Sequence, residues 1–142
     1  MPNDKNKIQQ VLKWIEYADE DLRVTDIVSS LSSNVPYRIV AYHSQQCAEK
    51  YLKAFLLCHN VDFPYTHNIS TLIELCLPFV DLNEKLGTAK ELSKYAVAVR
   101  YPTDYLILTK RETIRLTKIA KKVKTVIRKL LVKEKPIFKE KL

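Results

Sequence analysis

Glycine is the residue whose scarcity most limits what this chain can fold into. The sequence has 142 residues and a single glycine, Gly87. Tight β-hairpins, glycine-rich phosphate loops and dinucleotide-binding turns need glycine, because their backbone takes positive φ or passes close to a ligand. No stretch alternates apolar and polar residues convincingly over strand length. We therefore expect neither a hairpin-rich sheet nor a glycine-loop nucleotide fold.

Apolar residues instead recur at steps of three and four, which is the periodicity of amphipathic helices. This spacing predicts helices over the following stretches: 7–31, 34–59, 69–77, a single turn at 82–86, 89–99, and a long last helix opening at Thr109. Short connections between such helices favour antiparallel packing. The expected fold is all-α, an up-and-down four-helix bundle with an additional short helix.

Capping residues and prolines predict where these helices begin and end. We expect Asn34 to cap the second helix, with Pro36 in its first turn, and Asn68 to cap the third. A glutamate three residues later gives capping-box spacing at three further positions: Asp81, Thr88 and Thr109. Gly87 is expected to end the short turn at 82–86 in a left-handed conformation.

The positive charge of the chain is concentrated in its last helix. The net charge is +8, and residues 110–142 contain 13 Lys and Arg against 3 Asp and Glu. Residues 1–109 contain 11 basic and 13 acidic side chains, so the rest of the chain is nearly neutral. A basic segment of this kind attracts nucleic acid, nucleotides or an acidic protein face, although a solvated helix face gives the same pattern.

Length and composition predict one globular domain over residues 1–142, with a core over about 8–131 and a basic tail over 132–142. Apolar runs are too short for a transmembrane helix, and the polar start does not resemble a signal peptide. Three cysteines cannot all pair within one chain. We therefore expect a cytoplasmic protein with reduced thiols and no membrane association.

Histidine and cysteine spacings do not predict a metal site. No histidine follows a glutamate by three residues, as the metal sites of helical bundles require, so we expect no metal and no cofactor. His43, His59 and His67 are expected to be structural, although each imidazole could transfer protons near neutral pH. Cys47 and Cys58 share the apolar face of the second helix and should behave as small hydrophobic residues.

The connection before the last helix carries the most chemistry. An arginine, two tyrosines and an aspartate lie within 100–105, just ahead of the basic first turns of the helix. Guanidinium groups and helix N-termini bind phosphate oxygens, and tyrosines stack on bases. These residues predict a nucleotide or RNA site formed by Arg100, Tyr101, Asp104, Lys110, Arg111 and Arg115. The alternative is an Arg100–Asp104 ion pair that only fixes the loop, with Tyr101 and Tyr105 packed into the core.

Four segments of the chain resemble signatures of the prokaryotic HEPN domain family. The resemblance spans about residues 8–131 and rests on Tyr17–Leu22, on Ser44–Ala54, on Thr66–Ile69 with Leu72 and Leu75, and on Tyr95 with Arg100-Tyr101-Pro102 and Asp104. The second segment, Ser-Gln-Gln-Cys-Ala-Glu-Lys-Tyr-Leu-Lys-Ala, is the most specific of the four. Each motif is weak alone, but the four occur in the family's order.

The resemblance implies a helical bundle that dimerises and pairs with a minimal nucleotidyltransferase, often as a toxin–antitoxin module. Many members are metal-independent ribonucleases, whose site is an arginine followed a few residues later by a histidine. Arg100 matches the arginine, but Tyr105 stands five residues on and no histidine follows it. Some members also carry a tyrosine that the transferase modifies, and Ile107 occupies that place here.

Three functional hypotheses follow from the residues and the resemblance. The first is a dimeric partner of a minimal nucleotidyltransferase that binds nucleotide or RNA through Arg100 and the basic helix. The second is a metal-independent endoribonuclease in which Arg100 stabilises the transition state and Tyr105, Tyr101 or His67 transfers protons. The third is a structural oligomerisation module whose basic helix confers only solubility.

Overall fold

A computed structural model of the chain describes residues 2–98 and 108–142. Within these residues all regular structure is helical. The elements are α1 (Pro2–Ser29), α2 (Tyr37–Cys58), α3 (Ile69–Cys76), α4 (Asn83–Leu86), a 3₁₀ helix (Gly87–Ser93), α5 (Lys94–Ala98), α6 (Lys110–Glu134) and α7 (Ile137–Lys141). The all-α bundle predicted from the apolar periodicity is confirmed.

Helix α2 is the central element of the bundle. It packs most extensively against α1, next against α6, and also against α3 and α5. Its side chains Tyr51, Leu52 and Phe55 are completely buried. Because α2 is covered on most sides, its polar residues need partners inside the protein.

The predicted apolar stripes of the two long outer helices face this centre. The buried apolar residues of α1 include Val11, Ile15, Ala18 and Leu22, and those of α6 include Leu116, Ala120, Val123, Ile127 and Leu131. Helix α1 begins at Pro2 and ends at Ser29, so it starts five residues earlier than the apolar stripe indicates.

Two of the predicted helix caps are confirmed. The Asn68 side chain accepts hydrogen bonds from the backbone N–H groups of Ser70 and Thr71 at the start of α3. The Thr109 hydroxyl accepts from the Glu112 N–H, at 3.1 Å, at the start of α6. Both caps satisfy donors that the first helical turn leaves without partners.

The predicted cap at Asn34 is wrong. Asn34 has φ of 53°, a left-handed conformation that asparagine tolerates in tight turns. Helix α2 begins at Tyr37, and Pro36 precedes it without a side-chain cap. Asn34 therefore turns the chain between α1 and α2 and does not begin the helix.

The stretch after α3 differs from its prediction in two ways. Gly87 has φ of −56° and opens a 3₁₀ helix, so it is not a left-handed terminator. The residues predicted as one α-helix over 89–99 begin as this 3₁₀ helix and continue as α5. In a 3₁₀ helix side chains three residues apart point the same way, which places Ala89 and Leu92 together in the core.

The C-terminal residues pack against the bundle, whereas the sequence predicted a basic tail over 132–142. Helix α6 continues to Glu134, and after Pro136 the chain forms α7. Phe138 is completely buried in the core cluster. One aromatic side chain in a stretch rich in charged residues holds the end of the chain in place, because its burial removes a large apolar area from water.

None of the helices described here combines the length and the apolar character needed to cross a membrane.

Candidate functional site

The predicted phosphate-binding residues divide into two groups in the structure. Arg100, Tyr101, Asp104 and Tyr105 lie outside the described residues. The three basic residues that follow them, Lys110, Arg111 and Arg115, occupy the first two turns of α6 and are exposed. The described part of the site is therefore the N-terminal end of α6 and its neighbours.

A cavity of about 250 Å³ lies where the α1–α2 connection meets the start of α6. Its lining combines polar and apolar side chains and comprises Ser29, Leu31, Ser32, Ser33, Asn34, Val35, Tyr37, Lys110, Thr113 and Ile114. Lys110 is the only charged side chain among these residues. The volume is below the usual range for a whole small-molecule ligand, so the cavity fits a phosphate group or another small anionic group.

The three basic residues of α6 differ in how freely they could bind an anion. Among the described residues, neither Lys110 nor Arg111 forms an ion pair, whereas Arg115 contacts Glu91 and Glu112 at 2.7 Å each. The hydrogen bonds to Glu112 and Glu91 raise the pKa of Arg115 above its ordinary value. A phosphate at Arg115 would have to displace two carboxylates, so Lys110 and Arg111 are better placed to bind one.

Glu49, which is absent from the predicted site residues, is the centre of a buried polar network on α2. Its side chain is 4 % exposed and lies 2.8 Å from the ammonium group of Lys53, which is itself 6 % exposed. Gln45 donates a hydrogen bond to the Glu49 carboxylate at 2.8 Å. The rings of Trp14 and Phe63 lie 5.7 and 5.5 Å from the Lys53 nitrogen and add cation–π contacts.

The same network fixes His67 at the start of α3. Nδ1 of His67 lies 3.0 Å from Oε2 of Glu49, and Gln45 Nε2 donates to the His67 carbonyl oxygen at 3.2 Å. A carboxylate only accepts, so Nδ1 carries the proton in this contact. Burial alone would raise the pKa of Glu49, but hydrogen bonds from Lys53, Gln45 and His67 outweigh it, and the pKa lies below its usual value.

Two further acidic residues, both on α1, bind cations of the neighbouring helices. Asp21 lies 2.7 Å from Nδ1 of His43 and 2.5 Å from the Lys50 ammonium group. Asp19 pairs with Arg128 at 2.9 Å and accepts a hydrogen bond from the Tyr51 hydroxyl. Both carboxylates tie α1 to its packing partners.

Together these contacts assign a structural role to three of the four signature segments. Asp21 of the first segment binds Lys50 of the second, and Glu49 of the second binds His67 of the third. The signal in the sequence is the i, i+4 spacing of Gln45, Glu49 and Lys53 on the second predicted helix. Polar residues at such positions must be paired, because leaving one unpaired in the core is costly.

His59 and the cysteines are also structural. Nε2 of His59 lies 2.6 Å from a carboxylate oxygen of Glu134, but the angles are not those of a hydrogen bond. The His59 ring stacks on Phe79, with the ring centroids 4.1 Å apart. All three cysteines are buried and unbonded, as expected for Cys47 and Cys58. Burial raises the pKa of Cys76 to about 12, which keeps this thiol protonated and unreactive.

The fold and its polar contacts define an all-α helical bundle built around α2. Polar residues of this helix bind side chains of the first and third signature segments. Comparison with known families identifies it further: the HEPN domain matches residues 11–130, which is most of the chain. The chain belongs to the HEPN domain family. No curated protein and no solved structure matches it.

Proposed function

We propose that this HEPN protein binds the phosphate groups of a nucleotide or RNA beside the start of α6, in a cleft centred on Arg100. Lys110 and the cavity next to it carry the proposal. Lys110 lines this cavity together with three serines, and its ammonium group has no ion-pair partner among the described residues. The Thr109-capped N-terminus of α6 adds a positive helix dipole at the same end.

The cleft is proposed to lie in a homodimer. Three exposed apolar side chains, Ile27, Leu31 and Ile114, are 60, 50 and 46 % exposed. Leu31 and Ile114 line the cavity beside Lys110, and Ile27 lies four residues before Leu31, in the last turn of α1. A second copy on this surface would cover these apolar groups.

Binding of phosphate is tested with the full chain and a fluorescently labelled eight-nucleotide RNA at 50 mM salt. Arg100→Ala and Lys110→Gln should each weaken binding about tenfold or more, since a charge-assisted hydrogen bond contributes about 1.5–3 kcal/mol. Arg23→Ala, which removes an exposed arginine on α1, is the matched control and should have little effect. Equal affinity in all four proteins would contradict the proposed cleft.

The proposed protein partner is a minimal nucleotidyltransferase, which the family membership supports. Co-expression with a nucleotidyltransferase encoded beside this chain should give a complex that survives size-exclusion chromatography.

The homodimer is tested separately. Ile114→Glu should convert the homodimer to a monomer, because it places a charge in the apolar surface. A wild-type chain that is monomeric at every concentration tested would exclude the dimer.

Metal-independent ribonuclease activity is the second candidate. The observation that favours it is His67, whose side chain is 28 % exposed while Glu49 fixes its Nδ1 proton. A carboxylate on one nitrogen leaves the other as the proton-transfer atom. RNA cleavage in EDTA should be lost in both Arg100→Ala and His67→Gln. Cleavage that persists in both variants would rule out this site.

A further inference from the structure

The basic residues of α6 lie on two flanks that differ in how their charge is balanced. On the flank facing α1, Lys124 and Arg128 both pair with Asp19, at 3.2 and 2.9 Å, and Lys121 pairs with Asp26 at 3.3 Å. The acidic residues of α1 therefore neutralise much of the charge on this side of the helix.

The opposite flank of α6 has no such neutralisation in the part of the chain that the structure describes. Lys122, Lys129 and Lys133 are exposed and none is within ion-pair distance of a carboxylate there. They line one side of a groove of about 510 Å³, and Lys85 of α4 lines the other. We call this feature the lysine groove. Its remaining lining residues are Val80, Asp81, Leu82, Thr125, Val126 and Leu130.

Four ammonium groups and one carboxylate give the lysine groove a strongly positive potential. That carboxylate, Asp81, already accepts hydrogen bonds from the backbone and side-chain nitrogens of Asn83 at 2.9 and 2.8 Å. Lysines gathered along a groove repel one another, and a bound polyanion relieves that repulsion while releasing its own counterions. The groove is thus built to attract a molecule with several negative charges.

The spacing of the lysines fits an extended polyanion better than a single small anion. Lys122 and Lys133 are eleven residues apart, which is about 16 Å along the helix axis. A stacked nucleic-acid strand rises about 3.4 Å per nucleotide, so this length spans about five phosphates. Lysine is a flexible point charge, suited to phosphates whose exact positions vary.

We propose that the lysine groove binds the backbone of single-stranded nucleic acid without reading its bases. None of the lining residues, all of which are described, is aromatic, so the groove offers no platform for base stacking. The groove lies well along α6 from Lys110, because Lys129 is nineteen residues further on and about 28 Å away along the axis. This inference rests on the proposed function for its ligand class but not for its location.

The test compares two triple variants of the full chain with equal changes in charge. The groove variant is Lys122→Gln, Lys129→Gln and Lys133→Gln, and the control variant is Lys13→Gln, Lys121→Gln and Lys139→Gln. All six lysines are exposed, so both proteins should fold, which circular dichroism checks. Binding of a labelled 20-nucleotide oligouridylate is measured by fluorescence anisotropy from 50 to 200 mM salt.

The groove variant should lose about two units from the slope of log Kd against log salt, since each phosphate contact contributes about 0.7. Its Kd at 50 mM salt should rise about tenfold or more. The Kd of the control variant should rise by less than a third of that factor. Identical slopes in the two variants would overturn the proposal. Binding of poly-glutamate is measured as a comparison. A groove variant that keeps wild-type RNA binding but loses poly-glutamate binding would also overturn the proposal, and would identify an acidic protein surface as the ligand.

Arg100→Ala separates this inference from the proposed function. If the proposed cleft is absent, Arg100→Ala binds RNA like the wild type, and the groove variant still shows the reduced slope. If the lysine groove does not bind RNA, the groove variant keeps the wild-type slope while Arg100→Ala weakens binding of the eight-nucleotide RNA.

Discussion

The carboxylate of Glu49 on α2 lies 3.0 Å from Nδ1 of His67, the residue directly before the cap of α3. This contact joins two segments that are separated by the whole connection between the helices. Ile69, one residue beyond the cap, donates its N–H to the Ser93 hydroxyl at 2.9 Å. The start of α3 is therefore fixed on one side to α2 and on the other to the end of the 3₁₀ helix.

Replacing Glu49 should destabilise the protein severely. Glu49→Ala leaves the Lys53 ammonium group buried without its carboxylate, and breaking a buried pair from one side costs about 3–5 kcal/mol. Asp26→Ala removes the partner of Lys121 from a pair that is more than half exposed, and should cost less than about 1 kcal/mol. Urea unfolding measures both, and similar losses in the two variants would contradict a buried network.

The stability of the protein should decrease below about pH 5, partly because of Glu49. The pKa of Glu49 is lower in the folded protein than the value of about 4.3 expected when it is unfolded. Its contribution is therefore complete above the unfolded pKa and is lost as the pH falls through the folded pKa.

Urea unfolding of the wild type and Glu49→Gln between pH 3 and 7 checks this dependence. The free energy of unfolding should fall less steeply with decreasing pH in Glu49→Gln. Glu112→Gln is the control, since Glu112 has a lowered pKa through Arg115 but is only partly buried. Parallel curves for the wild type and Glu49→Gln would show that Glu49 does not contribute to the acid sensitivity.

Phe138→Ala should be as damaging as a substitution in the centre of a core. Phe138 is completely buried, and removing such a ring costs about 3 kcal/mol or more. The neighbouring Ile137 is 44 % exposed, so Ile137→Ala should cost less than about 1 kcal/mol. Thermal unfolding distinguishes the two. A Phe138→Ala protein with wild-type stability would favour the basic tail that the sequence predicted.

The two asparagines before helices should respond differently to serine. Asn68→Ser keeps a capping oxygen and should retain nearly wild-type stability, whereas Asn68→Ala should lose about 1 kcal/mol. Asn34→Ser places serine at positive φ and should also lose about 1 kcal/mol, and Asn34→Gly should not. Chemical unfolding of these four variants would contradict the structure if Asn34→Ser were neutral and Asn34→Gly destabilising.

Much of the fold was predictable from local sequence. Val11 and Ile15 share one face of α1, and Leu116 and Val123 share one face of α6. Helical periodicity sets these faces whatever the helices pack against. The cap at Asn68 was predictable because its hydrogen bonds reach only two or three residues along the chain. Asn34 gave the same local signal, but its backbone conformation depends on how α1 and α2 pack.

The candidate site was predictable only in part. Lys110 and Arg111 follow from the charge pattern, whereas the ion pairs that occupy Arg115 involve Glu91, which is distant in the sequence. The predicted residues Arg100, Tyr101, Asp104 and Tyr105 remain sequence predictions. The lysine groove combines α6 with Lys85, and no periodicity within one helix indicates that pairing.

The sequence by itself determined the helical character, the apolar faces, the local caps and the concentration of positive charge in the last helix. These properties depend on residues a few positions apart, so short-range spacing is sufficient to predict them. Only the tertiary structure decided which charges are neutralised, which polar residues are buried and whether the C-terminal residues pack. Those outcomes depend on which helices meet, because an ion pair or a buried ring needs a partner from elsewhere in the chain.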